Sequence, residues 1–143
     1  MTAKEYLSQG FHVNKDINEK VLELESLDSE ICRCTQSFSD TPPIEHNDNK
    51  TEIELADYID KHKELVDIIN AETDELLGIQ IDTRKRILKL CIPRHRLILM
   101  KRYWRFLKWE KIQEEMGYLE SKSVHRVHNE AVKEFIKIHG NSF

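Results

Sequence analysis

The stretch "KSVHRVHN", Lys122 to Asn129, interleaves side chains suited to nucleic-acid contact with two valines at helical spacing. If the segment is helical with Val124, Val127 and Ala131 inward, then Lys122, Ser123, His125, Arg126 and Asn129 project outward. An arginine fork matches guanine, an asparagine amide matches adenine, and lysine or serine reaches a phosphate or a base edge. His128 falls on the inner side and reads as a core-edge histidine, not a ligand. No Gly-rich phosphate loop, H-E-x-x-H pair or nucleophile elbow is present, and the carboxylates lie at surface-helix spacings. No catalytic residue and no cofactor is expected, and the chain does not read as an enzyme. Cys32-x-Cys34 has no second pair at ligand spacing, so it and Cys91 are expected to be reduced thiols, with no metal.

Charge separates two halves. Residues 1–83 carry 20 acidic and 7 basic side chains, and residues 84–143 carry 6 acidic and 15 basic, within a net charge of −4. The run from Arg84 to Lys108 holds ten bases (Arg84, Lys85, Arg86, Lys89, Arg94, Arg96, Lys101, Arg102, Arg105 and Lys108) and no acid. Such a run calls for an acidic partner. From Trp109 to Phe135 six glutamates outnumber four bases, so phosphate attraction must come mainly from the 84–108 run. Non-specific affinity should then be modest and strongly salt-dependent.

The elements that position these side chains are helical. With 39% hydrophobic and 34% charged residues, four glycines and three prolines, the composition points to an all-α chain. Thr2 and Glu5 form a capping box ahead of a helix near Ala3. Ile17, Val21, Leu24, Leu27 and Ile31 then mark one apolar face. Pro42-Pro43 and their polar neighbours predict a loop over about 36–50. A second capping box, Thr51 and Glu54, starts a helix whose Leu55, Ile59, Val66, Ile69, Leu76, Ile87 and Leu90 lie on a heptad stripe. His62, Thr73, Gln80 and Thr83 fill other slots, and Gly78 is a candidate bend. Residues 3–34 and 52–91 are expected to form a long antiparallel, coiled-coil-like hairpin, packed on itself or against another copy.

Pro93 is expected to end the second helix and open a third, with Leu97, Met100 and Tyr103 or Trp104 facing inward. "WEKIQEEM" reads as a short helix stopped by Gly117, and Ser121 is placed to cap the last helix. Val124, Val127, Ala131, Phe135 and Ile138 form that helix's buried face. Tyr103, Leu107, Trp109, Ile112, Met116 and Tyr118 supply a small core, while Trp104 and Phe106 are candidates to pack on the hairpin. Three short helices with a glycine turn before the last describe a helix-turn-helix unit over 93–143, following an acidic hairpin over 1–92.

The residues "LILMKRYWRFLKWEKIQEEMGY…SVHRVHNEAVKEF" resemble the DNA-binding fourth region of bacterial primary-type sigma factors. They resemble more closely small phage-encoded sigma-factor-like regulators of the RinA and ArpU type. Arg102-Tyr103, Trp109-Glu110, Ile112, Met116-Gly117-Tyr118, Val124, Arg126-Val127-His128, Ala131 and Val132 carry the likeness. The opening "MTAKEYL", Ile17-Asn18 and the acidic hairpin resemble the N-terminal part of the same group. Three features depart from the pattern. Gln113 stands where alanine is usual, Lys108 stands where Ser or Thr often caps, and one extra residue separates Gly117 from Val124.

The resemblance implies a phage or prophage transcriptional regulator that binds double-stranded DNA. Its hairpin would serve homodimerisation or contact with RNA polymerase. Expected DNA contacts are Lys122, Ser123, His125, Arg126 and Asn129, with Lys108, Lys111, Arg102 and Arg105 on the backbone. Alternatives are an adaptor that docks on RNA polymerase without touching DNA, and a DNA-packaging recognition subunit. No membrane span or signal core is evident, so a cytoplasmic location is expected.

Overall fold

The computed structural model of the protein describes the backbone of residues 1–40 and 48–143 and the side chains of residues 1–35 and 52–143. Regular structure among the described residues is helical throughout, without a strand. The α-helices among the described residues are α1 (Ala3–Asp40), α2 (Asp48–Ile87), α3 (Pro93–Leu99), α4 (Trp109–Met116) and α5 (Ser121–His139), with a π-helical turn over Met100–Trp104 after α3. No helix among the described residues is long and apolar enough to cross a membrane.

The chain packs as two compact units. The first is Met1–Asn14 with Glu75–Phe143, and the second is Lys15–Asp74. The division expected at residue 92 runs through the first unit.

In the first unit α1 starts as the sequence prescribes. The Glu5 carboxylate accepts from the Thr2 N–H at 2.7 Å, and the Thr2 hydroxyl accepts from the Glu5 N–H at 3.3 Å. Those contacts, the backbone one foremost, hold the Glu5 carboxyl below its usual range. Ala3, Tyr6 and Leu7 then join Ile87, Leu90, Ile98, Leu99, Tyr103, Ile112 and the buried face of α5 in one core. Tyr6 donates to Asp82, stacks on Phe143 at 4.6 Å and lies under the Arg86 guanidinium. Burial, and then the bond to Asp82, raises its phenol to about 12.

Several helix ends differ from expectation for identifiable reasons. Residues 36–40 continue α1 and 48–50 begin α2, where a loop was expected, because nothing in "QSFSD" forbids helix. Pro42 and Pro43 lie outside the described residues. So does the side chain of Thr51, and with it the expected cap to Glu54. α2 stops at Ile87, before Pro93 can act. Its last turn tightens through Lys89 N–H to Arg86 O and Leu90 N–H to Ile87 O, at 3.3 and 3.0 Å. Pro93 does open α3, with Ile92 extended as a residue before proline must be. The α3 face that turns inward is His95, Ile98 and Leu99, and Leu97 is half exposed.

The π-turn closes with Leu107 N–H on Lys101 O and Phe106 at φ 56°, a conformation unusual for a side-chain-bearing residue. Its ring is accommodated on α1. It meets Phe11 edge-on at 5.2 Å and lies where a Cβ on Gly10 would be only 3.1 Å away. Phe106 therefore packs on the first helix, as one expectation had it, whereas Trp104 stays 38% exposed.

α4 and α5 span the expected residues, and Gly117 sits between them at φ 72°, ψ 21°. Gly117 N–H bonds Glu114 O and Tyr118 N–H bonds Gln113 O, at 3.2 and 3.1 Å, closing the helix with a left-handed residue. Ser121 is the first helical residue and not the cap, a position taken by Glu120 without a side-chain bond. On α5, His128 and Val132 are buried with Val124, Val127, Ala131 and Phe135, while Ile138 is 40% exposed in the last turn.

A Cβ at Gly117 would meet nothing within 4 Å, so only the backbone penalises a larger residue. Gly117→Ala is expected to cost about 1–2 kcal/mol. Gly78, in the unbroken interior of α2 with equally open surroundings, should instead gain about 0.5–1 kcal/mol as alanine. Urea denaturation of both variants checks the pair, and shifts of the same sign would contradict the assigned backbone states.

In the second unit α1 and α2 run antiparallel, since Lys20 pairs with Glu72 and Asp28 pairs with His62 at 2.8 Å. Ile17, Val21, Leu24, Leu27 and Ile31 on α1 and Leu55, Val66 and Ile69 on α2 are all only half buried, and Ile59 is 49% exposed. Ile87 and Leu90, from the same stripe, belong to the core of the first unit instead.

Candidate nucleic-acid interface

The outward face of α5 depends on how its inward face is held. Val124, Val127, Ala131 and Phe135 are at most 2% exposed, which fixes the rotation of the helix. Lys122, His125, Arg126 and Asn129 consequently stand exposed on the first turns, with Ser123 half buried beside them. Lys122, His125, Arg126 and Asn129 line a shallow open depression with Ser121, Glu130 and Lys133, and Ser123 is not part of its lining. Lys122 and Arg126 have no ion-pair partner among the described residues.

Trp109 ties α4 to this face. Its ring lies 4.8 Å from His125 and 4.8 Å from His128. The start of α4, carrying exposed Lys108 and Lys111, is thereby brought to the first turns of α5. Lys108 has no ion pair among the described residues, and Lys111 pairs loosely with Glu114 at 3.6 Å.

The other two expected backbone contacts are committed elsewhere. The Arg102 guanidinium lies between the rings of Phe11 and Trp109, 4.4 Å from each, and donates to Leu107 O at 2.8 Å. Burial lowers its pKa. It braces the π-turn and is not free to reach a phosphate. Arg105 is exposed but pairs with Glu115 at 3.3 Å, next to Lys101 on the same carboxylate at 2.8 Å. Those bonds, led by Lys101, keep Glu115 below the usual carboxylate range.

The basic run as a whole divides the same way. Arg86, Arg94, Arg96, Lys101, Arg102 and Arg105 bind carboxylates, carbonyls or rings of their own unit. Arg84, Lys85, Lys89 and Lys108 are exposed with no ion pair among the described residues. Half of the six acids near the last helix are likewise absorbed, whereas Glu110 and Glu120 are exposed with no ion pair among the described residues. Glu115 holds Lys101 and Arg105, Glu130 holds Arg94 at 3.4 Å, and Glu134 is bound to α3.

Two positioning contacts have no counterpart among the expectations above, one made by Glu134 and one joining two residues expected in the core. Glu134, on α5, accepts from the Cys91 and Ile92 N–H groups at 2.6 and 3.2 Å, and meets His95 Nδ1 at 2.5 Å. It caps the entry to α3, which has no local side-chain cap. Burial works to raise the Glu134 carboxyl, but the bonds from His95, Cys91 and Ile92 outweigh it and the pKa is lowered. The signal available was a helix opening on "IPRH" with no Ser, Thr, Asp or Asn at its start.

The second contact is the buried pair of Tyr103 and His128, whose hydroxyl and Nε2 are 2.6 Å apart. Burial raises the phenol to about 12 and lowers the imidazole to about 4. Both are then neutral, and the arrangement assigns the phenol as donor and Nε2 as acceptor. His128 is thus the core-edge histidine expected.

The cysteines form no disulfide, and Cys32 and Cys91 are exposed. No group of three or more potential ligands that could hold a metal occurs among the described residues. No protein-family model, curated protein or solved structure matches the chain.

Proposed function

We propose that the protein is a double-stranded-DNA-binding transcriptional regulator of the phage type it resembles, with α4, the Gly117 turn and α5 acting as a helix-turn-helix. In this reading α5 enters the major groove by its first two turns. Arg126 and Asn129 address base edges, and Lys122, Ser123 and His125 address phosphate or sugar. Lys108 and Lys111, at the start of α4, take the adjacent backbone, and the N-terminal hairpin reaches RNA polymerase.

The observation that carries the reading is the pairing of two opposite faces on one helix. The inner face is locked into the core, and the outer face presents Lys122 and Arg126 with no ion pair among the described residues. Positively charged side chains held in place but left unneutralised are what a polyanion needs.

The test is fluorescence anisotropy of labelled promoter-region duplexes at several salt concentrations. Arg126→Ala should weaken binding by about 1–3 kcal/mol, roughly 5- to 150-fold, and relax sequence preference. Lys122→Ala should weaken all sequences alike and lower the salt slope by about one. Binding that neither salt nor these substitutions alter would rule this interface out.

A second reading, an adaptor docking on RNA polymerase without DNA, is favoured by one observation. Six of the ten bases in the 84–108 run are engaged within the protein, which thins the cationic surface. Retention of polymerase subunits after nuclease treatment, with no shift of any duplex, would select it.

A further inference from the structure

The Lys15–Asp74 unit has no fully buried side chain among its described residues, although apolar residues recur along both of its helices. Two helices laid side by side can cover only one seam, and each leaves the flank of that seam to water. On one flank the side chains of α1 and α2 form a groove. Leu27, Leu65 and Ile68 supply its apolar lining, and of the four charged residues beside them three are acidic, Glu23, Glu30 and Glu64, against the single base Lys61.

The spacing of the lining has a direct geometric meaning. Glu23 and Glu30 on one side, and Lys61 and Ile68 on the other, are seven residues apart. That is about 10 Å, or two helical turns, on either wall. The lining as a whole recurs at three- and four-residue steps on each helix, and Leu65 and Ile68, a turn apart on α2, face Leu27 on α1, an arrangement that can receive apolar side chains from a third helix. Ile68 is 39% exposed at this groove, apolar surface that an occupant would cover.

Charge decides between possible occupants. Lys15 to Asp74 contains 17 acidic and 6 basic residues, a net of −11. A second copy presenting the same face would bring these carboxylates together and is disfavoured. An apolar helix edged with lysine or arginine satisfies both the apolar lining and the carboxylates. We infer that the groove between Leu27, Leu65 and Ile68 is a docking site for a basic amphipathic helix of a partner protein, which completes a three-helix arrangement. The inference concerns a different unit from the α5 face and does not depend on DNA binding.

The experiment uses the full chain and three synthetic helices of about five turns, each dye-labelled for anisotropy. The first repeats leucine on one face with lysine elsewhere, the second replaces each leucine with alanine at the same charge, and the third replaces each lysine with glutamate. The leucine–lysine helix is expected to bind, and the other two to bind at least about tenfold more weakly. Ile68→Ser, at a partly exposed position, should weaken the first helix by about tenfold or more while leaving the circular dichroism unchanged. Glu23→Lys with Glu64→Lys should weaken it similarly. Arg126→Ala should leave peptide binding intact, so failure here and failure of the DNA titration are separable results. Equal binding of the alanine–lysine helix would overturn the site, because the attraction would then be charge alone. So would the absence of binding, or a dimer in sedimentation equilibrium that Ile68→Ser dissociates, since the occupant would then be a second copy.

Discussion

Phe135→Ala is expected to destabilise the protein by about 3–5 kcal/mol, among the largest losses any single replacement should produce. Phe135 has no exposed surface and lies in the C-terminal third of α5. Its ring is 4.7 Å from His139, 6.0 Å from Phe143 and 6.2 Å from Tyr6, so it joins the last helix to the first residues of α1. Truncation removes the aromatic surface and leaves a void walled by other rings, which cannot collapse into it without leaving their own rotamers. Phe135→Leu refills most of that volume and should lose far less, about 1–1.5 kcal/mol. Urea denaturation followed by circular dichroism measures both. A loss below about 1 kcal/mol for the alanine variant would mean that Phe135 is not the central packing residue of this core. The consequence for the α5 surface is indirect. Lys122 and Arg126 keep their directions only while the inner face of the same helix is seated.

What could be read from the sequence follows the range of the interactions. The Thr2–Glu5 box, the left-handed Gly117, the extents of α4 and α5, and the inward Val124, Val127 and Ala131 all depend on residues a turn or two apart. Such features leave a local pattern. The end of α2 and the start of α3 did not, because distant side chains help to satisfy their backbone groups. His139 Nε2 lies 2.8 Å from Arg86 O, and Glu134 reaches the Cys91 and Ile92 N–H groups from α5. Pro93 could therefore be recognised as a helix opener while the true end of α2, at Ile87, could not. Leu97 was misassigned for a related reason. The face of α3 is chosen by where α5 lies, and it buries His95 because Glu134 is there to receive it.

Charge was legible as a total and not as a surface. The excess of bases from Arg84 to Lys108 is evident in the sequence, but the division of labour within it is not. Arg102, sandwiched between Phe11 and Trp109, looks in one dimension like its neighbour Lys108, which stands exposed. The same holds for the glutamates around α5, whose apparent opposition to a polyanion weakens once Glu115, Glu130 and Glu134 are seen to bind Lys101, Arg94 and His95. Only side chains with nothing of their own to neutralise them can contribute fully to a phosphate surface.

Acidification is expected to destabilise the fold through His128 before most carboxylates are protonated. Burial lowers this imidazole from 6.5 to about 4, helped by the charges of Lys4 and Arg102 and by His125. The unfolded chain therefore binds the proton at a higher pH than the folded chain does. Between these two values the unfolded state holds more protons, so stability falls as pH falls. The contribution is complete above about pH 6.5, is lost progressively down to about pH 4, and reaches roughly 3 kcal/mol. Protonation would also place a donor on Nε2 opposite the Tyr103 hydroxyl, whose proton already occupies that 2.6 Å gap. The double variant Tyr103→Phe, His128→Phe removes the titrating group without leaving a polar atom unpartnered. Urea midpoints measured from pH 7.5 to pH 4 should fall more steeply for the natural protein than for the double variant. The difference should concentrate between pH 6.5 and pH 4. Parallel pH profiles would show that the imidazole is not held neutral by burial, and that the Tyr103–His128 contact does not seat α5 in the manner described.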